Sequence, residues 1–286
     1  MLNTLFRGCC GLLVLLFSLR LTAQPLFDSH LHYTAEDAQR FTPQEILHLL
    51  DNNSIAYAAV TGTPPAHVSK LYRMAPERIV PLLAVYRHAE DKSTWTNDKT
   101  LIPYLENELK RGYWRGIGEL HIFARDRHSK VFKKVIALAS EWQLPLLIHG
   151  DPAVIDKVYE IAPKQPVIWA HAGTFPYPDL VSDYLHRYPN LSIDLSMRDK
   201  RIAPDGMIND EWYELFVNYP NRFMIGVDTY STARWQMFNS AVGTVRNWLA
   251  QLPEEIALQL AFVNAAKLYK MPLVYKGEEG IEDFGK

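Results

Sequence analysis

The sequence predicts a single (β/α)8 barrel of the TIM type, with a metal site at the C-terminal ends of its strands. Three observations predict it. Eight apolar, strand-like runs alternate with amphipathic helical runs, the pattern of a parallel sheet with crossover helices. The length of 286 residues suits one α/β barrel, a fold that commonly takes about 200–250 residues. Six of the runs carry His, Glu or Asp toward one mouth, and the C-terminal strand ends are where this fold gathers its reactive groups.

The expected strands are Leu26–Tyr33, Ile55–Thr61, Ile79–Tyr86, Gly116–Ile122, Leu146–Gly150, Val167–Gly173, Leu191–Met197 and Phe223–Asp228. The run from Ile79 to Val85 is wholly apolar, as a strand buried on both faces requires. Helix signals fall between these runs. Thr42-Pro43-Gln44-Glu45 combines a capping box with proline at the first helical position, opening a helix through Leu50. Pro103 stands in the first turn of a helix toward Lys110 that Gly112 can close. Ser129 can cap Lys130–Trp142, whose Val131, Val135, Leu138 and Ala139 share one face. Further helices are expected at Val154–Ile161, Asp179–Arg187, Asp210–Asn218, Ala233–Leu252 and Glu254–Tyr269. An open doubly wound sheet is the competing arrangement, but no Gly-rich phosphate loop follows a strand to support it.

Composition narrows the class. Hydrophobic residues make up 48% and charged residues 22%, the balance of a soluble globular enzyme. A net charge of −2 offers no attraction to nucleic acid or an anionic membrane, so the expected partner is a small-molecule substrate. Oligomeric state has no signal in the sequence. Residues 1–23 read as a signal peptide, with Arg7 as the basic region, Gly11 to Leu19 as the apolar core and Leu21-Thr22-Ala23 as the cleavage site. The apolar run is shorter than the roughly 20 residues of a membrane-spanning helix. The expectation is export, periplasmic or secreted, with no membrane insertion after cleavage; an uncleaved anchor is the alternative. The barrel then occupies 24–275, followed by a polar tail at 276–286. Cys9 and Cys10 leave with the signal, so a metal must be held by His and carboxylates.

The strand ends carry the chemistry. His30 and His32 are two residues apart on a strand, so both imidazoles project from one face and suit one ion. Alone, a His-x-His pair is weak evidence and reads more often as a satisfied core feature. Glu119, His149, His171, Asp194 and Asp228 end or hold other expected strands, and so many buried polar groups need pairing or a metal. His48, His67, His88, His128 and His186 fall on helices or loops and read as surface residues. His121 lies at the lip, facing substrate or solvent. Asp28 reads either as a group orienting a histidine or as an acid bonded to backbone.

The set His30-x-His32, Glu119, His149, His171 and Asp228 resembles the amidohydrolase superfamily of metal-dependent TIM-barrel hydrolases. The phrases FDSHLH, GIGELH, LPLLIHGD, VIWAHAG, RFMIGVDT and FVNAAKLY look like its amidohydrolase-related branch, from Pro25 to Tyr269. The resemblance implies that His30, His32 and Asp228 bind the more buried ion, with His149 a ligand of that ion or of a second one. It implies that Glu119 bridges two ions or stands behind one. His171 is then a second-metal ligand in binuclear members, or an acid or base on the substrate in mononuclear ones, decarboxylases included.

The expected chemistry is metal-activated water attacking an ester, lactone, amide or phosphoester, with Asp228 as base and His171 or the metal polarising the substrate. Zinc is the first expectation; Mn2+, Fe2+ or Ni2+ suit the same donors, as one or two ions. The rivals are a mononuclear non-oxidative decarboxylase and a barrel that binds metal or ligand without catalysis. A deoxyribonuclease of the same superfamily is a weaker variant, since the acidic chain shows no phosphate-binding surface. Arg198 reads as a surface residue beside Asp199 and Lys200, or as a partner for a substrate carboxylate. Phe175, Tyr177, Tyr230 and Trp235, in loops after strands, suggest an apolar or ring-bearing substrate.

Overall fold

The computed structural model describes residues 24–277, 280–283 and 285; the expected signal peptide lies outside them. Eight parallel strands follow chain order around one sheet: β1 (Leu26–His32), β2 (Ile55–Thr61), β3 (Ile79–Leu83), β4 (Gly116–Ile122), β5 (Leu146–Gly150), β6 (Val167–Trp169), β7 (Leu191–Asp194) and β8 (Phe223–Met224). Main-chain bonds join the end of the sheet to its start. The Ser29 N–H donates to Ile225 O at 3.0 Å, and the Asp228 N–H to His30 O at 2.8 Å. The expected (β/α)8 barrel is the observed fold.

Alternation along the strands sorts the side chains. On β1, Phe27 packs with the rings of Tyr57 and Tyr269, at 5.5 and 5.6 Å, while Asp28, His30 and His32 share the opposite face. The same period puts Glu119 and His121 on one face of β4, and the β4–β5 register sets His121 opposite His149. Gly118 permits the close passage of these two strands. It has φ +147°, and a Cβ there would lie 2.5 Å from Leu147 O. Gly118→Ala is therefore expected to lower stability by about 1–3 kcal/mol. Thermal unfolding measures the loss, and an unchanged midpoint would remove the close-packing argument.

Five strands stop short of the apolar runs that predict them, at His32, Leu83, Trp169, Asp194 and Met224. After β6, β7 and β8 the chain leaves extended geometry at the barrel mouth. His171, Ala172, Met197 and Asp228 take φ of 60°, 53°, 63° and 55°. Left-handed backbone costs a non-glycine residue roughly 1–2 kcal/mol, so tertiary bonds must hold these turns.

Most helices match their signals. Thr42 and Glu45 form the capping box of Pro43–Asn52, and Ser129 Oγ accepts the N–H groups of Val131 and Phe132 at 3.1 and 3.2 Å. Leu101–Leu109, Pro152–Ile161, Pro178–Arg187 and Asp210–Asn218 lie where expected. The helix expected at Ala233–Leu252 divides at Met237 into Thr232–Gln236 and Phe238–Leu249. Glu254–Tyr269 contains a π turn at Gln259–Val263, where Leu260 O accepts the Ile225 N–H at 3.2 Å. Pro65–Met74 is a further helix between β2 and β3, with Pro65 at its first position and no side-chain cap at its start. Across the expected boundary between barrel and tail, Val274–Gly277 pairs antiparallel with Gly280–Asp283, apart from the barrel sheet.

Candidate metal centre

The six residues predicted to form the site converge at the barrel mouth. His30 and His32 come from β1, Glu119 from β4, His149 from β5, His171 from beyond β6 and Asp228 from beyond β8. His30 Nε2 lies 3.2 Å from His32 Nε2, which is 3.3 Å from both Asp228 Oδ1 and Glu119 Oε2. Glu119 stands between groups of imidazoles. Its Oε2 is 2.9 Å from His121 Nε2; its Oε1 is 3.1 Å from His149 Nδ1 and 3.3 Å from His171 Nε2. His171 Nε2 also approaches Asp228 Oδ2 at 3.7 Å. Three overlapping sets each keep their donor atoms within 4.8 Å of one another: His30, His32 and Asp228; His30, Glu119 and His171; Glu119, His121 and His149.

A layer behind these residues aims them. Asp194, fully buried on β7, lies 2.8 Å from His30 Nδ1 and accepts the Ser196 hydroxyl at 2.6 Å and the His171 N–H at 3.3 Å. His171 Nδ1 lies 3.1 Å from Ser196 O, an acceptor only, so that nitrogen carries the hydrogen and Nε2 presents its lone pair. Two arginines brace the left-handed turns. Arg198 donates to the carbonyls of His171 and Gly173 at 2.6 and 3.0 Å. Arg234 donates to those of Val227 and Asp228 at 2.8 and 3.4 Å. The Thr229 hydroxyl accepts the His32 N–H at 2.8 Å and donates to His32 O at 2.9 Å, tying the end of β8 to β1.

The electrostatics call for a cation. Glu119, Asp194 and Asp228 are all buried, and buried carboxylates need compensating charge. Burial opposes a charged Glu119, but His30 and the hydrogen bonds from His121, His149 and His171 hold its pKa well below the usual range. Burial likewise opposes a charged Asp228, and His30 and His32 outweigh it. His30 responds in kind: desolvation pushes its pKa down, yet Asp228, Glu119 and Asp194 pull it well above the ordinary value. Asp228 Oδ1 is buried with no hydrogen-bond partner. A divalent ion between the Nε2 atoms of His30 and His32 and that oxygen would satisfy the orphan atom and the charge demand together, so the donor set fits a metal.

The structure corrects two smaller expectations. Arg198 is neither a free surface residue nor placed for a substrate carboxylate, because its guanidinium is engaged by backbone. Trp235 is buried and donates from Nε1 to His32 O at 3.1 Å, whereas Phe175, Tyr177 and Tyr230 are exposed as expected. His48, His88, His128 and His186 are exposed and His67 is half-buried. Asp194 and Ser196 are the groups sequence reasoning left without a role. The Asp-x-Ser alternation on one strand face was the available signal.

Asp28 turns out to be bonded to backbone, accepting the N–H groups of His30 and Val227 at 3.1 and 3.2 Å. Burial outweighs those bonds and pushes its pKa up to about 8 from 3.8. The folded state thus holds a proton that the unfolded chain releases, so stability falls as pH rises from about 4 through about 8. Asp28→Asn is expected to erase that slope and to exceed wild type in melting temperature at pH 8 or above. Parallel melting curves against pH for the two proteins would reveal this trend or its absence.

No curated protein matches the sequence. Solved structures with this fold include a dihydroxybenzoic acid decarboxylase from Polaromonas sp. JS666 with bound manganese and 2-nitroresorcinol. It is 11% identical over 86% of this chain and 97% of that one, with a TM-score of 0.58. A TatD-family hydrolase from Entamoeba histolytica is 9% identical over 85% and 99%, with a TM-score of 0.55. An amidohydrolase from Burkholderia multivorans with bound zinc is 15% identical over 87% and 100%, with a TM-score of 0.53. Identities this low speak to the fold. The family match is more specific: TatD-related DNases match residues 27–177, more than half of the chain. The superfamily resemblance therefore stands, and the chain belongs to the TatD-related DNase family, as a metal-dependent hydrolase on the amidohydrolase barrel.

Proposed function

We propose that the protein is an exported hydrolase that uses metal-activated water on an ester, lactone, amide or phosphoester bond of a small, ring-bearing substrate. The observation that carries this reading is the buried Asp228 Oδ1, which faces His32 Nε2 at 3.3 Å and His30 Nε2 at 4.0 Å without a well-formed hydrogen bond. His30, His32 and Asp228 would hold a divalent ion, which would supply a hydroxide-like water at neutral pH. Asp228 takes a proton on the carboxylate and returns it to the leaving group. His171 directs Nε2 into the same space as acid or base on the substrate, its other nitrogen occupied by Ser196 O. Glu119 and His149 supply further donors beside it.

Zinc is favoured because an open His/Asp site suits it, and manganese, iron or nickel take the same donors. Family membership weights phosphoesters among the candidate bonds. Exposed Phe123, Phe175, Tyr177 and Tyr230 follow β4, β6 and β8 and suit stacking against a ring. The net charge of −2 favours a small substrate over a nucleic acid, and the signal-like residues 1–23 support export to periplasm or medium. Engagement of Arg198 by backbone carbonyls removes a candidate partner for a substrate carboxylate under hydrolysis and decarboxylation alike. Retention of Asp228 with the histidines favours catalysis over a binding-only barrel.

Purified protein stripped with a chelator should lose turnover of p-nitrophenyl esters, a lactone, an anilide or p-nitrophenyl phosphodiesters and regain it with added zinc or manganese. Metal-dependent cleavage confined to DNA would replace the small-substrate reading. Metal-independent turnover, or none on any substrate, would overturn it. Cell fractionation tests export.

A further inference from the structure

We propose that Asp151 clasps together the two walls of a ring-binding slot beside His149, with Phe123 on one side and Phe175 on the other, and so selects substrates that carry a flat ring next to the bond cleaved. This rests on the reading of the barrel mouth as a metal-dependent hydrolytic site, and it adds the residue that shapes the entrance.

The carboxylate of Asp151 forgoes its local task. Asp151 is the N-cap of Pro152–Ile161, a position where aspartate ordinarily accepts N–H groups of the first turn, yet its side chain makes no cap bond. Pro152 at the first helical position lessens the need for one, since proline has no N–H to satisfy. The two oxygens turn to other loops instead. Oδ2 accepts the Ala124 N–H at 2.7 Å, and Oδ1 accepts the Thr174 hydroxyl at 3.0 Å. Ala124 follows β4 and Thr174 follows β6, so one carboxylate after β5 bridges the loops on either side of it.

Each bonded residue has an aromatic neighbour. Phe123 precedes Ala124 and stands edge-on to His149, with ring centroids 6.5 Å apart. Phe175 follows Thr174 and lies nearly parallel to Tyr177, at an interplanar angle of 6°. All three rings are exposed, which leaves apolar surface in water that a bound ring would cover. Among the described residues no ring contact joins Phe123 to Phe175, so their separation depends on the bridge through Asp151. The Thr174 loop is fixed from its other end as well, where Arg198 donates to Gly173 O at 3.0 Å. A ring held against Phe123 lies beside His149, and therefore beside the donors at the mouth.

Asp151 is thus a positioning residue, and its role is read as a preference between two ligands that differ only in the ring. Benzylphosphonate and methylphosphonate are titrated by calorimetry into the zinc-loaded protein as wild type, Phe123→Ala, Asp151→Ala and Asp151→Asn. Wild type should bind the benzyl compound about three- to tenfold more tightly, the gain of an aromatic contact. Phe123→Ala and Asp151→Ala should lose most of that preference, while methylphosphonate, held at the metal, binds all four proteins alike. Asp151→Asn should keep the preference, because its amide oxygen can accept the Ala124 N–H and its N–H2 can donate to the Thr174 hydroxyl. Circular dichroism establishes that each variant is folded, and Thr174→Val severs one arm of the bridge if Asp151→Ala is not. Equal affinities in wild type, a preference retained in Asp151→Ala or Thr174→Val, or equal weakening of both phosphonates in those variants would overturn the slot and leave the metal centre standing. Binding of neither phosphonate to wild type would overturn the metal-dependent reading, and the slot with it.

Discussion

Asp228→Asn is expected to lower kcat by about 10²–10⁴-fold, the range of a lost acid–base group, with metal still bound and the fold intact. The fold should survive because asparagine is nearly isosteric and tolerates the left-handed φ of 55° better than most residues. The bonds that shape the turn come from the main chain: the residue's N–H donates to His30 O, and Arg234 donates to its carbonyl. None depends on the carboxylate. The amide oxygen can still meet a cation, and His30 and His32 are untouched, so metal content should fall less than activity does. What the amide cannot do is accept a proton and return it. Metal content and kcat measured on the same preparation separate the two roles. Full activity with metal bound would end the assignment of Asp228 as base; loss of all metal would make it a ligand first.

Asp194→Asn is expected to weaken metal binding about 10–100-fold, although Asp194 is placed behind the donors and not among them. The carboxylate lies 2.8 Å from His30 Nδ1 and also receives Ser196 and the His171 N–H, so it sets the tautomer of one histidine and the turn of another. An amide at this position removes the charge that raises the basicity of His30 and leaves an N–H2 facing a ring N–H or a hydroxyl. Acid stability should change as well. Burial opposes the charged form of Asp194, but His30 outweighs it and holds the pKa at about 2, below the ordinary 3.8. The folded pKa is depressed, so this stabilisation is present above about 4 and lost as pH falls toward 2. The variant should lack that limb in an acid-unfolding curve. Competition against a chelating dye reads the affinity. Unchanged affinity with an unchanged acid limb would show that Asp194 neither orients His30 nor stabilises the fold.

Much of the centre was legible in the sequence because strands impose a period of two. His30 and His32, or Glu119 and the strand ahead of it, can be placed on a face by counting alone, and eight apolar runs order them around a ring. Asp194 could not be given a role this way. Its partner His30 is 164 residues distant, and within its own strand it reads as one acid after an isoleucine. Arg198 and Trp235 were misread for a related reason: a cation beside other charges and an aromatic in a loop are surface features by composition. The backbone carbonyls that engage them become visible only once the turns at the barrel mouth have formed.

By itself the sequence determined the barrel and the six side chains at its mouth, His30, His32, Glu119, His149, His171 and Asp228, since hydrophobic periodicity and strand alternation are local properties of the chain. Tertiary structure decided their mutual arrangement: Glu119 between two groups of imidazoles, His121 drawn in beside His149, and His171 and Asp228 lifted on left-handed turns braced by arginines. Those turns are unfavourable locally and persist only because distant strands supply their hydrogen bonds, so no local pattern can announce them.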